Sequence, residues 1–367
     1  MNKLIYLKKE NIKPLLEKLS LDFDVHIPVQ DNRTSVIEFA HLDSLNENNE
    51  INLKEKTRKS PKSLFFAATE NLFEFEYIKD TQKPDVNLIK LDEEKNGQNI
   101  NKKKKLVFGL KPCDAKGIKN LDLVFNENGK NDISYSENRA GSILVSIGCN
   151  NIFNDCFCLT VNGHPFDFEN ADIGLMDMGD FLIVSKTGQN SQVKDLIENN
   201  REYFEEKDSD EEIKKSMDKV IAASEEKLKS YMKNADGVRA GKTMEQEFKK
   251  DTIWKKISDK CVSCGACTYV CPTCVCFNIG DEIRENKGER YRCWDFCTNY
   301  NYTLEASGHN PRSEIFNRYR NKINCKFHYF YKRNKTLYCV GCGRCVEVCP
   351  VGMDIRDIIT IFSPSND

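Results

Sequence analysis

No apolar run in this 367-residue chain reaches the length of a membrane span. The best of them, Leu64-Phe65-Phe66-Ala67-Ala68, is far too short. Excess charge is also lacking: 55 Lys and Arg stand against 57 Asp and Glu, a net charge of −2. That balance gives no argument for nucleic acid or an anionic membrane as partner. A secretory leader is not evident, because Met1-Asn2-Lys3-Leu4-Ile5-Tyr6 runs straight into charged residues. There is no G-x-G-x-x-G, so an intrinsic Rossmann nucleotide site has no support. The segment Gly237–Thr243 is one residue short of a P-loop and follows a charged helix rather than a strand. His26, His41, His164, His309 and His328 show no metal-binding spacing among themselves. Nor do C-x-x-C pairs stand at the two ends of the chain, as an embedded nickel–iron centre needs.

What the chain has is cysteine, seventeen in all. A reducing cytoplasm keeps such thiols free for metal, and the protein is expected there, in an anaerobe because exposed clusters suffer oxidation. Two runs share one spacing, C-x2-C-x2-C-x3-C-P. The first is Cys261, Cys264, Cys267, Cys271 and Pro272; the second is Cys339, Cys342, Cys345, Cys349 and Pro350. This is the spacing of bacterial two-cluster ferredoxins, in which the fourth thiolate crosses to the other cluster. One 4Fe–4S cluster is therefore assigned to Cys261, Cys264, Cys267 and Cys349, and the other to Cys339, Cys342, Cys345 and Cys271. A zinc ribbon also uses C-x2-C pairs, but it needs neither the third cysteine nor the C-P ending.

The expected fold class is an α/β N-terminal domain, residues 1–240, plus a C-terminal two-cluster ferredoxin-like (α+β) domain, 241–367, with a long helical insertion over 272–338. Residues 1–20 suggest a helix. Asp24–Val29, Val36–Phe39, Leu64–Ala67, Leu106–Leu110, Ser142–Ile147 and Phe181–Val184 suggest strands. Residues 92–105 suggest a solvated loop, Asp114 a helix cap, and Glu211–Met232 and Glu245–Ile257 helices. Strand–helix–strand order argues for α/β architecture. Cys113 and Cys149 follow two buried strands, at the sheet edge where such folds place ligands. With Cys156 and Cys158 they are the cysteines of the first domain, and four converging thiols predict a third metal centre, a 4Fe–4S cluster rather than zinc. The insertion is rich in Arg and aromatics, including Arg318 and Arg320, which suggests a partner-docking surface rather than a site for single-stranded nucleic acid.

Cys261–Phe277, with Cys293-Trp294-Asp295-Phe296-Cys297, Ala306–Arg312 and Tyr338–Cys345, resembles one family. Its members are the sulfhydrogenase beta subunits and the dicluster electron-transfer subunits of anaerobic sulfite reductase. Gly109–Asp114 and Cys156-Phe157-Cys158 extend the resemblance through nearly the full length. The ending Cys349-Pro350-Val351-Gly352-Met353-Asp354-Ile355 is closer to the hydrogenase-type branch. The resemblance implies an iron–sulfur electron-transfer subunit. It would stand between a diaphorase-type, FAD/NAD(P)-binding subunit on one side and a catalytic subunit on the other. That catalytic subunit would be a hydrogenase, a sulfur reductase or a siroheme sulfite reductase. Cys274, Cys276 and Cys297 fall within family motifs without an assigned role. Cys293 and Cys325 are expected to pack as small apolar groups. The alternative is an enzyme reducing sulfur or polysulfide at its own N-terminal site. No acid–base pair stands beside the cluster motifs, which favours electron transfer.

Overall fold

The computed structural model describes residues 3–78, 85–89, 103–188, 191–208, 211–232 and 234–363. Its strands in chain order are β1 Lys3–Lys8, β2 Phe23–Asp31, β3 Ile37–His41, β4 Asn49–Ile51, β5 Thr69–Ile78, β6 Asp85–Ile89 and β7 Lys104–Leu110. They continue with β8 Ile143–Ile147, β9 Ile173–Asp177, β10 Phe181–Thr187, β11 Phe204–Asp208, β12 Phe277–Arg284 and β13 Lys287–Trp294. The larger sheet has the order β11-β1-β10-β9-β8-β7-β2-β3, with β4 also on β2. Its centre, β2, β7, β8 and β9, is parallel, and its flanks are antiparallel. The central strands Leu106–Leu110 and Ile143–Ile147 are buried throughout, as parallel strands covered on both faces must be. Leu16, Val25, Ile27, Leu106 and Leu182 anchor one core, and Phe65, Phe66, Leu121 and Tyr135 anchor another on the opposite side.

The expected fold class is present: a mixed α/β first part, then a C-terminal part built of short helices, cysteine loops and one hairpin. Neighbouring parallel strands β7 and β8 bring the residues after them to one sheet edge. The two parts share structure. β13 pairs with β5 from Thr69↔Cys293 to Glu76↔Lys287 in a second, antiparallel sheet, β12-β13-β5-β6. Residue 240 falls inside the helix Gly237–Gln246.

Several local expectations are corrected. The first described element is β1, and the helix that follows occupies only Ile12–Leu19. The apolar run before that helix, Leu4 to Leu7, supplies a strand between β10 and β11. Pro61–Leu64 is a 3-10 turn and the strand follows it, from Thr69. Lys104 and Lys105 belong to β7, while 92–102 of the expected loop lie outside the described residues. Glu245–Ile257 is split between Gly237–Gln246 and Asp251–Ser258. The insertion opens with the β12–β13 hairpin. Its helix then runs Ile315–Asn324, passes through a π-turn at Cys325–Tyr329 and resumes over Phe330–Asn334. Arg318 and Arg320, expected on a docking surface, are both engaged by groups of the chain itself. Arg318 is buried, donating to the carbonyls of Thr298 (2.9 Å) and Arg312 (2.8 Å). Arg320 donates to the carbonyl of Phe248 and to Asp251, both at 2.8 Å. Loop carbonyls that no helix or sheet satisfies claim these guanidinium donors.

Candidate metal centres

The two cysteine runs fold alike because the backbone solves one problem twice. In the first, Ser263 (φ 54°) and Gly265 (φ 78°) are left-handed, and a short helix starts at Ala266. In the second, Gly341 (φ 68°) and Gly343 (φ 75°) are left-handed, and the helix starts at Arg344. Each left-handed residue turns N–H groups inward. The N–H of Ser263 donates to the Cys261 sulfur, that of Gly341 to Cys339, and that of Arg344 to Cys342. Inward N–H groups of this kind stabilise negative charge on sulfur.

One cavity is lined by Cys261, Cys264, Cys267, Cys345 and Cys349. Met353 N–H donates to the Cys349 sulfur at 3.1 Å. Cys271 instead lies with the second run, its charge felt at Cys339, Cys342 and Cys345. Cys349 thus lies beside the thiols of the first run, and Cys271 is close enough to the second run to act on its thiols. Burial pushes the thiols of Cys339 and Cys342 up to about 12 and about 11, so loading metal onto them must expel protons.

Three buried lysines surround these thiols. Lys322 and Lys326, four apart, share one face of the insertion helix. Lys322 Nζ contacts the Cys267 sulfur. Lys326 Nζ lies 3.5 Å from the Cys271 sulfur and 2.8 Å from Thr273 Oγ1. Lys62 reaches in from the first part, donating to the carbonyls of Cys274 (2.9 Å) and Thr268 (3.2 Å). The anionic groups that act on all three are chiefly thiols. Burial alone would push the Lys322 ammonium down, but charge on Cys267 and Cys274 raises it. Buried cations facing sulfur fit an anionic cluster held by thiolates, since an unpaired buried charge costs several kcal/mol.

A second cavity is lined by Cys113, Cys149, Cys156 and Cys158 together with Cys342. It lies at the edge to which β7 and β8 lead. Its wall comes from both parts of the chain. A Cβ at Gly341 would stand 2.5 Å from the Cys158 backbone, and Phe157 N–H donates to the Gly341 carbonyl at 2.9 Å. Lys56 pairs with Asp155 and donates to the Cys342 carbonyl at 3.2 Å. Asp114, expected as a cap, lies inside the helix Pro112–Phe125. Its carboxylate holds Arg344, with Nη1–Oδ1 2.6 Å and Nη2–Oδ2 3.0 Å, and both side chains are buried. Among the described residues, no three Cys, His, Asp or Glu side chains converge tightly enough for a single metal ion. The thiols border cavities instead, and an all-sulfur donor set suits soft metal centres.

Residues 260–353 match the family model of a 4Fe-4S dicluster domain. The sulfhydrogenase 2 subunit beta of Pyrococcus furiosus is 30% identical over 252 residues, 68% of this chain and 71% of that protein. This chain belongs to the family of sulfhydrogenase beta subunits and anaerobic sulfite reductase electron-transfer subunits. The F420-dependent formate dehydrogenase subunit beta of Methanocaldococcus jannaschii is 23% identical over 302 residues, 70% of this chain and 69% of that one. Iron–sulfur binding and an electron-transfer role in a redox enzyme complex follow from the dicluster domain and the family. No described helix is long and apolar enough to cross a membrane.

Lys62, Lys322, Lys326, Lys56 and Arg344 are the site residues that sequence reasoning passed over. Lys322 and Lys326 carried a signal: two lysines at i and i+4 beside Ile323 and Phe327 place charge on a face the apolar residues bury.

Proposed function

We propose that the chain carries three 4Fe–4S clusters and conducts electrons between a flavin subunit handling NAD(P)H and a catalytic subunit of hydrogenase or sulfur/sulfite reductase type. Cys261, Cys264, Cys267 and Cys349 would hold one cluster, Cys339, Cys342, Cys345 and Cys271 the second, and Cys113, Cys149, Cys156 and Cys158 the third. When bound, such clusters supply one-electron chemistry. The protein's own part is spacing, charge and burial. The functional division falls near residue 240, with the third centre in 1–240 and the other two in 241–367. The observation that carries this reading is the cavity where the four first-domain thiols meet Cys342. Cys342 belongs to the second thiol set and borders the third, while Cys345 belongs to the second and borders the first. The second set would therefore adjoin each of the other two.

Because β5 and β13 share a sheet, the test uses the full chain. Anaerobically prepared protein is expected to hold about twelve irons, four per cluster. Cys113→Ala and Cys156→Ala are each expected to lower that to about eight while leaving the two-cluster signal. About eight irons in the unaltered protein, with no further metal taken up on reconstitution, would remove the third centre.

A further inference from the structure

Three cysteines lie outside the proposed ligand sets yet touch one another or a ligand: Cys274, Cys276 and Cys297. The hairpin explains how two of them meet. Cys276 immediately precedes β12 and Cys297 follows β13, whose register pairs Phe277 with Trp294. Asp295 N–H donates to the Cys276 carbonyl at 2.9 Å, so the two chain ends remain together beyond the ladder. The Cys276 sulfur accepts from three donors: the Cys297 thiol, the Tyr302 hydroxyl and the Cys297 backbone N–H. Those hydrogen bonds, the one from Cys297 foremost, hold the Cys276 thiol below its ordinary range against the opposing effect of burial. The hydrogen bond to Cys276, and burial after it, push the thiol of its neighbour Cys297 up. The hairpin ends thus set side by side two thiols whose acidities are driven apart, and a disulfide forms through the more acidic of such a pair. On the inner side, Cys274 lies near Cys297 and donates its own S–H to the sulfur of Cys271.

We propose that Cys276 and Cys297 form a redox-active dithiol, a two-electron site joined through Cys274 to the thiolate set that contains Cys271. In oxidation, the Cys276 thiolate and the Cys297 thiol form one S–S bond. One proton leaves Cys297, and two electrons pass singly to one-electron iron–sulfur acceptors. Reduction reverses each of these. The site would thus hold an electron pair beside carriers that move one electron at a time. Cys276 is partly exposed, while Cys297 and Cys274 are buried, so a reagent or substrate with an S–S bond would meet Cys276 first. The inference rests on the ligand assignment proposed above for Cys271.

The experiment uses the full chain, purified under argon, with iron counted before each measurement. Aliquots are reduced with dithionite or oxidised with the dye thionin, quenched in acid, alkylated under denaturing conditions and digested. Peptide mass spectrometry should find Cys276 joined to Cys297 in the oxidised sample and both alkylated in the reduced one. A reductive titration should need two more electrons for the unaltered protein than for Cys297→Ser at equal iron content. Both thiols remaining alkylatable after oxidation, in protein with its full iron, would overturn the proposal. So would loss of about four irons in Cys276→Ser and in Cys297→Ser, which would make them cluster ligands. The unaltered protein answers the first question if a variant does not fold. A low iron count in the unaltered protein would instead count against the cluster assignment.

Discussion

Replacing Asp114 by Asn tests how the cysteine loops are held. Arg344 stands between Cys342 and Cys345, with no exposure to solvent. Its donors are divided between Asp114 and Thr57, whose carbonyl takes Nε at 2.8 Å and whose hydroxyl takes Nη2 at 3.1 Å. Three distant segments thus meet at one guanidinium: the loop before β5, the helix after β7 and the second cysteine run. An Asn at 114 fills the same volume but leaves the guanidinium charge without its carboxylate. Breaking a buried pair from one side costs about 3–5 kcal/mol. At roughly 2 °C per kcal/mol for a chain of this size, the apparent Tm should fall by about 6–10 °C. Thermal unfolding by circular dichroism under argon, on samples matched for iron, measures this. The loss of a negative charge near Cys342 should also raise the reduction potential of the centre there. A shift under about 2 °C with full iron would refute the argument. Arg344 would then be balanced by the thiolates around it rather than by Asp114.

Lys322→Met removes a buried cation in contact with Cys267 and should lower the potential of the first centre, followed by EPR during a redox titration; an unchanged potential would place that charge elsewhere. Asp132 gives a pH dependence. Burial would raise its carboxyl, but hydrogen bonds from Arg292 and from Tyr135 N–H outweigh burial and hold it below its ordinary value of 3.8. A depressed acid stabilises above its unfolded pKa and loses that contribution as pH falls through the folded one. Asp132→Asn should therefore destabilise the protein at neutral pH by about 1–3 kcal/mol, discounted for partial exposure. The difference from the unaltered protein should shrink below pH 4, as denaturant titrations at several pH values would measure.

The sequence by itself determined the two C-x2-C-x2-C-x3-C-P runs, because thiolate spacing on a tight loop is a local property of the chain. It also determined β7 and β8, whose largely apolar runs suit strands covered on both faces. The grouping of Cys113, Cys149, Cys156 and Cys158 was legible for the same reason, since residues that follow neighbouring parallel strands emerge at one edge. Where propensity was ambiguous the tertiary structure decided. Leu4 to Leu7 became a strand because β10 and β11 offered unpaired edges on both sides. Arg318 and Arg320 turned inward because loop carbonyls needed donors. The role of charge was decided only in three dimensions. Lys62 and Lys322 are separated by most of the chain, yet the charge of Cys274 acts on both. Arg344 and Asp114 meet from different parts of the fold. A buried cation is stable only opposite an anion, and no local pattern records which distant segment will bring that anion.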